Sequence, residues 1–202
     1  MTSTVALAKL LDLGMPAFTT SDAGACLDIT AARASKLLAR LTEAGHMVSL
    51  GRGLWAFPDR LEPLALPGVL TSPFPAYVSL QSALYYHGII SQMPSVLYAV
   101  SLARTKVYST PLGTVSVHHV APTFFFDSES LGQQGARIAT PEKALLDVLY
   151  LSPAKTRLFA ALPEVELPDT FGITRARRII KRIPSQQRRT LVQSRFDQLL
   201  SG

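Results

Sequence analysis

Arg33, Lys36 and Arg40 recur at i, i+3 and i+7, a spacing that gathers side chains on one face of an α-helix. No carboxylate joins them until Glu43. Cations grouped this way grip phosphate oxygens, and an arginine among them can read a base edge. Ala32, Ser35 and Ala39 lie between this face and the apolar one, and are small enough to let a backbone approach a groove floor. Thr30 precedes the stretch as a side-chain N-cap. Arg52 occupies the centre of Gly51-Arg52-Gly53, the tip of a two-glycine turn, where it would reach a phosphate or the minor groove. Thr30, Ala32, Arg33, Ser35, Lys36, Arg40 and Arg52 are therefore the candidate contacts to double-stranded DNA. The alternative is a solvated basic helix face followed by an ordinary β-turn.

Other reactive residue types do not assemble into a catalytic pattern. His118 and His119 are adjacent on a strand, so they point to opposite faces and cannot jointly hold one metal. His87 falls on the inner stripe of its helix. Glu142, Lys143 and Asp147 could be fragments of a nuclease-like acidic site, but no acidic strand residue with Glu-x-Lys spacing precedes them. Glu142 and Lys143 read instead as helix-start residues, and Asp147 as a local hydrogen-bond partner. The single cysteine, Cys26, excludes an internal disulfide and sits among Ala23, Ala25 and Leu27 as a buried thiol. Neither a glycine-rich phosphate loop nor a Gly-x-Ser-x-Gly elbow occurs. The expectation is no catalytic residue, no metal and no cofactor.

The elements that must hold the basic face are legible around it. A short helix from Ser21 to Ala25 leads through Leu27, Asp28 and Ile29 to a longer helix that opens at Thr30 and runs to about Ala44. Ala34, Leu37, Leu38 and Leu41 form its buried stripe, and Gly45 ends it. HMVSL and LWAF alternate as two strands around the Gly51-Arg52-Gly53 turn. An earlier helix carries Val5, Leu7, Ala8, Leu10 and Leu11 and stops at Gly14 and Pro16. Residues 1–60 thus read as a winged helix-turn-helix. Five prolines between Pro58 and Pro75 predict an extended, semi-rigid connector over residues 61–76.

Residues 77–202 predict an α+β region that could fold by itself. Ser79 caps a helix through His87 and Gly88, VLYAVSL is a strand, and KVYST with GTVSVHHV forms a hairpin around Pro111-Leu112-Gly113. TFFF suggests a further strand. Thr140-Pro141-Glu142 is a strong helix start, with Ala144, Leu145, Val148 and Leu149 as the buried face. The fold class is α+β: the winged region, a small and mostly antiparallel sheet, and C-terminal helices.

Charge is placed unevenly. Of 20 basic and 14 acidic residues, the last thirty positions hold eight basic side chains against Asp197 alone. Ala176, Ile179, Ile180 and Ile183 give the first tail helix its apolar stripe, and Pro184 breaks it. Ser185 caps the second helix, striped by Leu191, Val192, Phe196 and Leu199. Arg175, Arg177, Arg178, Lys181 and Arg182 are a candidate second anionic contact, against the alternative of a solvated helix face. No apolar run reaches membrane-spanning length and no basic segment precedes the first helix, so a soluble, cytoplasmic protein with no membrane partner is expected.

Most of the chain resembles the AbiEi-type antitoxins of type IV toxin–antitoxin (abortive-infection) systems. The likeness rests on GRGLWAF, YVSLQSALYYHGI, HHVAPTFFF and above all RIATPEKALLDVLYL at 137–151. It implies a transcriptional autorepressor whose N-terminal region binds repeats in its own promoter. It also implies a C-terminal region that counteracts a nucleotidyltransferase-type toxin. Two other readings remain open: a nucleic-acid-processing enzyme with a degenerate nuclease-like second region, and a ligand-sensing repressor.

Overall fold

The computed structural model describes residues 2–152 and 164–201. The first helix, α1 (Ser3–Asp12), is capped by Thr2 and buries Ala6 and Leu10. A three-residue strand, β1 (Ala17–Thr19), comes next. Helix α2 (Thr20–Leu27) is longer than expected because a reciprocal capping box opens it. Asp22 N–H donates to Thr19 Oγ1 at 3.2 Å, and Thr19 N–H donates to an Asp22 carboxylate oxygen at 2.8 Å. Asp28 ends α2 in the left-handed region (φ 52°), a conformation that aspartate tolerates better than most residues.

Helix α3 (Ala31–Glu43) starts where its cap predicts, with Arg33 N–H donating to Thr30 Oγ1 at 3.4 Å. It ends in a Schellman turn: His46 N–H reaches Leu41 O at 3.0 Å and Gly45 N–H reaches Thr42 O at 2.9 Å. Gly45 supplies the required positive φ of 79°. Strands β2 (Val48–Gly51) and β3 (Leu54–Ala56) then form the expected hairpin. β1 pairs with the other side of β3, giving a three-stranded antiparallel sheet in the order β1-β3-β2. Phe18, Leu27, Leu37, Leu38, Leu41 and Trp55 are buried in one cluster beneath it.

The connector is not extended. A 3₁₀ turn (Pro63–Ala65) runs into α4 (Leu66–Thr71), with Pro67 in the first helical turn. There a missing N–H costs nothing, because those donors have no intrahelical partner in any case. Leu61, Ala65 and Leu66 have an apolar face to bury, and each is at most 5% exposed. They share a core cluster with Leu50 and Ala56 of the hairpin and with Val115, Val117 and Ala136 further on. That cluster ties the first sixty residues to the later strands.

The later region contributes β4 (Ala76–Val78), α5 (Leu80–Tyr86), β5 (Leu97–Ser101), β6 (Lys106–Thr110), β7 (Gly113–His119), β8 (Ser128–Leu131) and β9 (Ala136–Ala139). Helices α6 (Pro141–Leu151), α7 (Ile173–Lys181) and α8 (Gln186–Ser201) complete it. The strands form one six-stranded sheet, ordered β6-β7-β5-β4-β9-β8. It is larger and more mixed than expected, since β5–β7 and β4–β9 are parallel and the other three pairs antiparallel. TFFF is not a strand: Pro122–Phe124 is a 3₁₀ turn that buries Phe124 with its ring stacked on Tyr150 of α6, 4.1 Å between centroids. Tyr77, Val100 and Ala139 project into the core shared with α5 to α8, whereas Val115, Val117 and Ala136 meet the connector and hairpin. The described residues thus make an α+β fold with eight α-helices and two sheets.

Candidate nucleic-acid interface

The two faces of α3 separate cleanly. Ala34, Leu37, Leu38 and Leu41 are at most 5% exposed, while Thr30, Ala32, Arg33, Ser35, Lys36, Ala39 and Arg40 are all exposed. Seven residues at about 1.5 Å rise spread the three cations over roughly 10 Å, a length a DNA major groove about 12 Å wide can admit. Arg33, Lys36 and Arg40 form no side-chain ion pair or hydrogen bond among the described residues, and neither does Arg52. A charge left unpaired on a defined face is available to an external anion.

The hairpin is held in register with α2 by a contact the sequence does not announce. Thr20 N–H donates to Gly53 O at 2.9 Å, and Trp55 Nε1–H donates to Thr20 Oγ1 at 2.9 Å. The turn bearing exposed Arg52 is therefore pinned to the start of the helix that precedes α3. Gly24 fixes the approach of α2 to α3: a Cβ there would stand 3.1 Å from Ile29 O. The structure brings the six α3 positions onto one exposed helix and puts Arg52 at an exposed turn.

The tail residues divide. Arg175 is half-buried between Asp127 (3.3 Å) and Glu142 (3.7 Å), and Arg177 faces Asp197 at 3.4 Å. Arg182 lies over the Phe126 ring, 3.4 Å from its centroid. Arg178 and Lys181 remain exposed with no ion pair among the described residues. The apolar stripes of α7 and α8 are packed as expected.

Sequence reasoning assigns Lys143 and Asp147 a minor role, and the structure gives them a central one. Both side chains are 0% exposed and pair with each other across one turn of α6. Ser79 Oγ and Tyr77 OH donate to Asp147 Oδ2 at 2.7 and 3.1 Å, and Lys143 Nζ donates to Tyr77 OH at 2.9 Å. Phe124 covers the ammonium, its ring centroid 3.9 Å away. Burial pushes the Asp147 carboxyl up and the Lys143 ammonium down, and each charge partly holds the other in place. Burial and the Asp147 charge also push the Tyr77 phenol up. With no exposed surface, this cluster cannot touch a substrate in this conformation. It locks β4, the start of α5 and α6 together.

Glu142 is buried as well and accepts Gly172 N–H at 2.8 Å, which ties α6 to the start of α7. His118 sits half-buried with Nε2 3.0 Å from Ser116 Oγ, and His119 Nδ1 lies 3.1 Å from Ala103 O. His87 Nε2 lies 2.7 Å from Ala139 O. Among the described residues no three His, Cys, Asp or Glu side chains come together as metal ligands would. Nor is any described helix long and apolar enough to cross a membrane. No family model matches the chain, and no curated protein matches it either.

Proposed function

We propose that the protein is a DNA-binding transcriptional repressor that uses residues 1–60 as a winged helix-turn-helix. In this reading α2, the turn at Asp28 and α3 are the helix-turn-helix, and the β2–β3 hairpin is the wing. The observation that carries it is the exposed, internally unpaired cation face of α3, set opposite a buried stripe, with a further exposed cation, Arg52, at the β2–β3 turn. Arg33 and Lys36 enter the major groove, with Arg40 and Arg52 mainly on phosphates. Small Ala32 and Ser35 leave room for close approach. The test is selection of a duplex from a random library, followed by anisotropy titration of Arg33→Ala and Lys36→Ala. Loss of a base-reading side chain costs about 1–3 kcal/mol, or roughly 5- to 150-fold. Variants that fold normally and bind the selected duplex as tightly as the parent would refute the assignment.

The AbiEi resemblance extends this reading. The chain would repress its own promoter at repeats and counteract a nucleotidyltransferase-type toxin through residues 77–202. Growth of cells expressing a nucleotidyltransferase encoded beside this gene, with and without this protein, tests that half. No protection would leave a repressor without antitoxin activity.

A further inference from the structure

A cavity of about 370 Å³ opens between the connector, α5, the loop before β5 and the β6–β7 turn. That volume lies within the range of small-molecule sites. Its walls include Leu64, Leu66, Tyr86, Met93, Leu97 and Leu112, and among the described residues no charged side chain lines it. Ser82 also lines it, but its hydroxyl already donates to Val96 O at 3.3 Å and accepts Tyr98 N–H at 2.8 Å. Tyr85, Tyr86 and Met93 are 40%, 52% and 73% exposed. Single exposed apolar residues are ordinary, but three converging on one concave apolar surface mark a binding site.

We propose that this cavity binds a neutral, largely apolar small molecule carrying an aromatic ring, and that occupancy alters DNA binding through the β2–β3 hairpin. The described lining carries apolar and neutral side chains, which favours a neutral ligand over an ion. The aromatic preference follows from the two tyrosine rings and the adaptable Met93 thioether at the cavity. Coupling follows from shared side chains. Leu66 and Val115 line the cavity and also belong to the buried cluster that contains Leu50 of β2 and Ala56 of β3. Leu64, Leu97 and Leu112 pack against that same cluster. A ligand pressing on these walls therefore acts on the packing behind the hairpin that presents Arg52. The binding half stands on the cavity alone, whereas the coupling half rests on the DNA-binding reading.

The probe is N-phenyl-1-naphthylamine, a neutral aromatic dye that brightens in apolar surroundings, titrated into the full chain. Saturable binding of one dye per chain is expected. Val96→Trp, which fills the cavity from a half-buried position, and Met93→Asp, at an exposed rim, should each weaken it at least tenfold with unchanged circular dichroism. No saturable signal, or equal binding by both variants, overturns the site. Affinity for a library-selected duplex should then change at least threefold in the presence of saturating dye, and the duplex should change dye affinity by the same factor. Site-specific dye binding with unaltered DNA affinity overturns the coupling. Dye binding to a chain that binds no selected duplex refutes the DNA-binding reading and leaves the site standing.

Discussion

Asp147→Leu removes the carboxylate that pairs with Lys143 and strands the hydroxyls of Tyr77 and Ser79, which donate to it. The ammonium is left with 0% exposure under the Phe124 ring, where its remaining hydrogen-bond partner is Tyr77 OH. An uncompensated charge of this kind costs about 3–5 kcal/mol. Against a total stability of about 5–15 kcal/mol, that brings the fold close to its limit. Lys143→Met is milder, because the carboxylate keeps two hydroxyl donors. The double variant Lys143→Met, Asp147→Leu removes both charges and leaves only the hydroxyls short of partners, at about 1–3 kcal/mol. The three costs are therefore far from additive, with a coupling of at least about 2 kcal/mol. Urea unfolding followed by circular dichroism reads this directly. At roughly 2 kcal/mol per molar urea, Asp147→Leu should lower the midpoint by about 2 M, and adding Lys143→Met should restore much of it. A shift below about 0.5 M for the single variant, or additive costs in the cycle, would show that the pair is not the buried unit described here.

Leu50→Ala, in a hairpin strand 4% exposed against the sheet-side cluster, should cost about 2–5 kcal/mol, and calorimetry should still show one transition if the cluster joins both regions. Two separate transitions would mean that residues 1–60 fold alone. Arg52→Ala should weaken all duplexes alike and flatten the salt slope by about one unit; a change in sequence preference would contradict a phosphate role. Charge reversal at Arg178 and Lys181 spares the Ile179, Ile180 and Ile183 stripe, so folding should survive, and unchanged DNA affinity at low salt would exclude α7 from the interface. Thr19→Ala should cost about 1 kcal/mol through loss of the α2 capping box. The Thr19 amide and hydroxyl hold the Asp22 carboxyl below its ordinary 3.8. The contribution of Asp22 is therefore present above pH 3.8 and fades as pH falls through the lowered value. A difference between wild type and Asp22→Ala that does not shrink in that acid range would refute the pairing.

The candidate interface is legible in the sequence because its parts act locally. Thr30 caps a donor three residues on, and Gly45 closes a turn that begins at Leu41. The apolar and basic positions of α3 declare their faces by period alone. The same holds for Thr140 at the start of α6 and for the β6–β7 hairpin, whose pairing spans a short turn. The Thr19-x-x-Asp22 capping box is equally local, but the stronger helix signals after it mask it.

What only the tertiary structure decided depends on distant partners. β1 is three residues long, too short to carry a period, and exists because β3 offers it an edge. β4 pairs in parallel with β9, sixty residues away (Val78 opposite Ile138), which turns a small antiparallel sheet into a six-stranded mixed one. Prolines in the connector exclude helix interiors but not a helix start, and whether Leu61, Ala65 and Leu66 find a surface to bury depends on Leu50 and Val115. From the sequence alone, Lys143 reads as a helix-start residue and Asp147 as a local hydrogen-bond partner. Phe124 and the hydroxyls of Tyr77 and Ser79, brought from elsewhere in the chain, make them the buried centre of the second region. Local sequence sets which groups a segment can satisfy by itself, and long-range packing decides which of its faces meets water.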